Sequence, residues 1–115
     1  MTKLRKAENL IKMTFSCNDV HFANAYEKML KHFQYIDASE RTNHQKAIRL
    51  LYAQYKLKYS LKEIAGMVNQ DENTLRRHRK KYAECFMFFL SLEKSNNHIL
   101  TDEIAAIDIS EYKNL

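Results

Sequence analysis

One glycine, no proline and no tryptophan stand among the 115 residues of this chain. Tight hairpins and sharp loops lean on Gly and Pro, so their scarcity argues against most β architectures and favours helices joined by short polar turns. A Gly-rich phosphate loop cannot be built from a single glycine. No apolar run approaches the roughly 20 residues that span a bilayer, which speaks against a membrane protein. The opening residues Met1-Thr2-Lys3-Leu4-Arg5 lack the apolar core of a secretory signal, so a cytoplasmic protein is expected. Cys17 and Cys85 lie far apart with no C-x-x-C pair, and read as small buried hydrophobes, not as a disulfide or a zinc site. His21, His32, His44, His78 and His98 form no H-x-x-x-H or Cys/His cluster, so neither a metal nor any other cofactor is expected. Ser16 and Cys17 sit in no recognised nucleophile motif, and no enzymatic activity is expected.

What remains is 45% apolar residues, 13 of the 115 being Tyr or Phe. That suits one compact all-α domain with a single core, a small bundle of about five helices. Net charge is +5, unevenly spread. Residues 1–92 carry 17 Lys/Arg against 9 Asp/Glu, whereas residues 93–115 carry 2 against 5. A basic body (1–92) and an acidic C-terminal extension (93–115) suit a polyanionic partner.

The apolar spacing places a first helix over residues 2–15, with Leu4, Leu10, Ile11 and Phe15. Asn18 or Asp19 can cap a second over 20–36, whose stripe is Phe22, Tyr26, Met29, Phe33 and Ile36. Residues 37–41 read as a turn. Thr42 with Gln45 reads as a capping box opening a helix to about Leu57, with Ile48, Leu51, Tyr52 and Tyr55 on one side. Ser60 with Glu63 is a second such box, for a helix ending near Val68. Asn69 and Gln70 form a turn, and Asp71 can cap a last long helix to about Leu92, with Leu75, Tyr82, Phe86 and Phe89 inward. Leu100, Ile104 and Ile107, after a cap at Thr101, favour a short docked helix over a mobile tail.

Residues 60–82, SLKEIAGMVNQDENTLRRHRKKY, are the informative stretch. A short capped helix, a tight polar turn and a strongly basic second helix follow in the order that a helix-turn-helix needs to lay one helix in the major groove. Ile64 and Ala65 supply apolar and small positions, Asn69 tolerates a left-handed backbone, and Leu75 anchors the second helix. Gln70 and His78 occupy places usually apolar. Gly66, inside the first helix, costs about 1 kcal/mol relative to Ala, and close approach of a neighbouring helix would justify it. Turning about 100° per residue from an inward Leu75, Asn73, Arg77 and Lys80 point outward, flanked by Arg76 and Lys81. Arg79 falls nearer the inner side, within reach of a phosphate or a neighbouring carboxylate. Asn and Arg suit bidentate reading of adenine and guanine edges, and Lys suits phosphate. Such a cationic cluster repels itself unless an anion meets it, which favours double-stranded DNA over a merely solvated face.

Glu63-Ile64-Ala65 followed by Asp71-Glu72-Asn73-Thr74-Leu75-Arg76 resembles the helix-turn-helix of region 4 in sigma-70-type factors, and the phage and prophage transcriptional regulators that share it. The resemblance covers about 25 residues. It implies promoter or operator recognition through Asn73, Arg76, Arg77 and Lys80, with RNA polymerase as a further partner. Two other readings stay open. One is a packaging or replication-site recognition protein of the terminase small-subunit kind; the other is a protein-interaction module that inhibits a host enzyme. The run Cys85-Phe86-Met87-Phe88-Phe89-Leu90 is apolar on every side, and either core burial or a homodimer seam accounts for it. The acidic extension reads as a surface cap or as a shield over the basic helix.

Overall fold

The computed structural model describes residues 2–96, 105–112 and 115, and these are helical with no strand among them. Five helices form the body: α1 (Lys3–Met13), α2 (Val20–Glu40), α3 (His44–Ile48), α4 (Leu61–Met67) and α5 (Glu72–Asn96). Local caps open several of them. Thr2 Oγ1 accepts from the Arg5 amide at 3.2 Å, and the Asp19 carboxylate accepts from His21 N at 2.8 Å. Each satisfies a backbone donor that a helix start leaves without a partner.

The 37–41 turn and the Thr42/Gln45 capping box expected from sequence are both corrected. Helix α2 continues to Glu40 and stops at Arg41, whose backbone is left-handed at φ 55°. Asp37, in its last full turns, aims its carboxylate out at α3, accepting from His44 N (2.8 Å), Gln45 N (3.0 Å) and Thr42 Oγ1 (2.7 Å). One carboxylate from the preceding helix thus caps α3, while Gln45 Nε2 donates to Leu30 O at 2.9 Å. The single helix expected to run to Leu57 is also broken up. After Ile48 the backbone widens into a π turn (Arg49–Ala53), with Gln54 N bonded to Arg49 O at 2.9 Å, and then tightens into a 3-10 turn (Tyr55–Leu57).

The core lies mainly between α2 and α5. Phe22 faces Phe86, Phe33 faces Tyr82 and Asn24 bonds to Glu93, so the two helices run antiparallel. Phe22, Met29, Leu75, Tyr82, Phe86 and Leu90 are fully buried; each such side chain contributes about 1.5–3 kcal/mol through loss of apolar surface to water. Ile11 from α1, Ile48 and Tyr52 from the α3 region, and Ile64 and Val68 at α4 close the remaining sides. Most of the 85–90 run belongs to this core: Phe86, Met87 and Leu90 are buried, Cys85 and Phe89 half-buried, and Phe88 is 59% exposed.

The α4 capping box is present in both directions, Glu63 N to Ser60 Oγ (3.1 Å) and Ser60 N to Glu63 Oε1 (3.2 Å). Asn69 adopts φ 55°, the left-handed turn for which Asn is the best substitute for Gly. Asp71 then opens α5, one oxygen accepting from Thr74 N at 2.9 Å and the other from Thr74 Oγ1 at 2.7 Å. Gly66 is not explained by close helix approach. A Cβ built there meets nothing within 4 Å. Gly66→Ala is therefore expected to stabilise the fold by about 0.5–1 kcal/mol, read as a higher urea midpoint with an unchanged slope.

Helix α5 runs past residue 92, so the expected boundary falls inside it. Glu93 belongs to the body: it is buried, accepts from Asn24 Nδ2 at 2.6 Å and lies 3.6 Å from His21 Nδ1. Of the docked helix expected near the C-terminus, Leu100, Thr101 and Ile104 lie outside the described residues. Beyond them Ile109–Tyr112 forms a 3-10 turn, with Ile107, Ile109 and Tyr112 partly buried on the core. The Lys94 ammonium holds this segment by donating to Ile107 O and to Ala105 O. Ile109 and Tyr112 share a groove with Glu84, Met87, Phe88 and Ser91, so this part of the extension lies against the C-terminal half of α5, beyond the exposed Asn73, Arg76, Arg77, Lys80 and Lys81. No helix among the described residues is long and apolar enough to cross a membrane.

Candidate nucleic-acid interface

Asn73, Arg76, Arg77, Lys80 and Lys81 are all exposed, on the first three turns of α5. Their present contacts are local and weak. Arg76 bonds to Glu72 Oε1 and to Asn73 Oδ1, each at 3.1 Å, and Arg77 reaches Thr74 Oγ1 at 3.2 Å. An exposed i,i+4 ion pair such as Glu72–Arg76 is worth about 0.3–0.5 kcal/mol, so both arginines can exchange these contacts for a better anion. Neither Lys80 nor Lys81 has a carboxylate within ion-pair distance among the described residues.

Arg79 turns inward, as its place on the helix predicts, and its partner is the carboxylate of Glu8 on α1. Arg79 Nε donates at 2.9 Å, Nη2 donates to the other oxygen, and the Tyr52 hydroxyl donates to Glu8 at 2.8 Å. These bonds to Glu8 hold the Arg79 guanidinium above its ordinary pKa, and burial pushes the Tyr52 phenol up. Sequence reasoning missed Glu8, which stands 71 residues from Arg79 with no local sign of the pairing.

The two residues that break the usual apolar pattern meet each other. His78 Nδ1 lies 3.2 Å from Gln70 Oε1, so a polar pair stands where two apolar side chains would pack. Gln70 N also donates to Ala65 O at 2.9 Å, and α3 holds the end of α4, with Lys46 Nζ on Met67 O (3.0 Å) and Asn43 Nδ2 on Val68 O (3.4 Å). The His78 ring lies 4.7 Å from that of His44, whose Nδ1 is 2.6 Å from the Tyr82 hydroxyl.

No family model, curated protein or solved structure matches this chain. Its residues therefore carry the functional reading alone. Among the described residues no cluster of His, Cys, Asp or Glu could hold a metal ion, and both cysteines are free. Burial pushes the Cys85 thiol up to about 12, far from a reactive thiolate.

The histidine pair gives the fold a pH dependence. Burial, chiefly, holds both imidazoles below their ordinary value of 6.5. Lys81 lowers both further; Arg77 and His44 add to the lowering at His78, while Asp37 and Glu40 oppose it at His44. The unfolded chain then binds more protons than the folded one below the ordinary value. Folding stability is fully present above that value and is lost as pH falls through the folded values. Urea unfolding at constant ionic strength should show a midpoint that falls between about pH 7 and pH 5; a flat profile would contradict the pairing described.

Proposed function

We propose that the chain binds double-stranded DNA in a sequence-specific way and acts as a small transcriptional regulator of phage or mobile-element type, working in the cytoplasm. The observation that carries this reading is the exposed set Asn73, Arg76, Arg77, Lys80 and Lys81, on one side of a long helix that begins at a left-handed turn. Leu75, at 0% exposure, anchors that helix from behind, and Asp71 fixes where it starts. The resemblance to sigma-70 region 4 implies groove contacts for Asn73, Arg76, Arg77 and Lys80 of this set, and the departures from it at Gln70 and His78 bond to each other.

In this reading Asn73, Arg76 and Arg77 face base edges, and Lys80 and Lys81 meet phosphate. Asp108 and Glu111 sit on the segment that covers the later turns of α5, so the duplex must leave the helix by about Glu84. That restricts reading to the helix's first turns, where recognition helices commonly contact bases. The test is selection of bound duplexes from a random pool at a stated salt concentration. Enrichment of one short motif is expected; a pool that stays flat sinks the proposal.

A further inference from the structure

Where α1 meets α5 two shallow hollows adjoin. Thr2, Arg5, Asn9 and Lys12 border one, Tyr52, Tyr55, Tyr59 and Ile64 the other, and Glu8, Lys12 and Arg79 are common to both. They form one trough along α1. Three cations line it against a single acid, and the oxygens of that acid, Glu8, are already taken by Tyr52 and Arg79. Arg5 and Lys12 have no carboxylate within ion-pair distance among the described residues; Lys12 Nζ instead stands 5.5 Å over the Tyr55 ring.

Arg5 and Lys12 are seven residues apart on one helix, about 10 Å along its axis, which is wide enough for each to take a different anion of a polyanionic strand. The trough adjoins α5 at Arg79, which is three residues from the exposed Arg76 and therefore its surface neighbour on the helix.

We infer that this trough seats consecutive phosphates of one DNA strand beside the groove that α5 enters, with Arg5 and Lys12 as donors. The inference rests on the DNA-binding reading above and adds α1 to the interface. These contacts carry no base information; they fix the register in which Arg76 and Arg77 meet the bases.

The test compares the full chain with Arg5→Gln/Lys12→Gln, using a random-sequence duplex and fluorescence anisotropy over a range of salt. Each phosphate contact contributes about 0.9 to the slope of log affinity against log salt, so the double variant should be shallower by about 1.8, with equal loss on every sequence and an unchanged melting temperature. An unchanged slope with the duplex still bound overturns the trough and leaves the reading of α5 intact. Failure of the unmodified chain to bind any duplex overturns both. Should the variant fold poorly, amide shifts at Arg5, Asn9 and Lys12 on adding duplex to the unmodified chain decide the matter: their absence, or their appearance only with polyglutamate, overturns the inference.

Discussion

Arg77→Ala is expected to weaken binding to the selected duplex by about 1–3 kcal/mol, roughly 5- to 150-fold, while leaving the fold intact. Arg77 is exposed and its one described side-chain bond is to Thr74 at 3.2 Å, so little in the free protein depends on it. A guanidinium at a base edge loses two parallel donors when truncated, and the base it read becomes indifferent. Discrimination at one position of the site should fall with the affinity. Lys80→Ala should behave differently, lowering affinity alike on all sequences and the salt slope by about 1. Titration of each variant against the selected site and single-base variants of it separates the two roles. Uniform loss in Arg77→Ala would reassign that residue to phosphate.

Glu8→Ala is expected to have the largest effect on folding. The Glu8 side chain is 5% exposed and serves as acceptor for both Arg79 and Tyr52. Removing it strands a guanidinium and a buried phenol, and breaking a buried ion pair from one side costs about 3–5 kcal/mol. Arg79 is 31% exposed and can recover some hydration, so the lower end, about 3 kcal/mol, applies. That corresponds to a fall in melting temperature of roughly 10–20 °C. Replacing all three members together, Glu8→Leu, Tyr52→Phe and Arg79→Met, should restore most of the loss, because no polar group is left without a partner. A triple variant no more stable than Glu8→Ala would show that shape at this junction, not polar satisfaction, sets its stability.

Where the physics is local, sequence reasoning reached the structure. The α2 stripe of Phe22, Tyr26, Met29 and Phe33 is buried as its spacing requires, and Ser60, Asp71 and Asp19 cap the helices they precede because each acceptor finds its donor two or three residues on. Thr42 and Gln45 have the same local pattern and do not form a cap. Asp37, a stronger acceptor from the previous helix, takes the α3 amides first. A carboxylate near the end of a helix reads as a turn residue until the next helix start is known to lie before it. Gln70 and His78 each look like a fault alone, and only the fold brings them to 3.2 Å. The basic face of residues 73–81 was legible from a helical wheel, since it depends on one helix. The trough along α1 was not, because Arg5 and Lys12 join Arg79 only through the packing of α1 on α5.

The wide turn at Arg49–Ala53 makes this protein tolerant of a lost residue at one place. Such a turn is in effect one residue added to a regular helix, each of its residues winding the chain less, so Tyr52 leaves it in nearly the direction that one residue fewer would give. Deleting one residue ahead of Tyr52 would therefore restore regular i→i+4 bonding with that ring still directed at Glu8. Shortening a helix commonly swings every later side chain off its partner; here the bulge would absorb the loss.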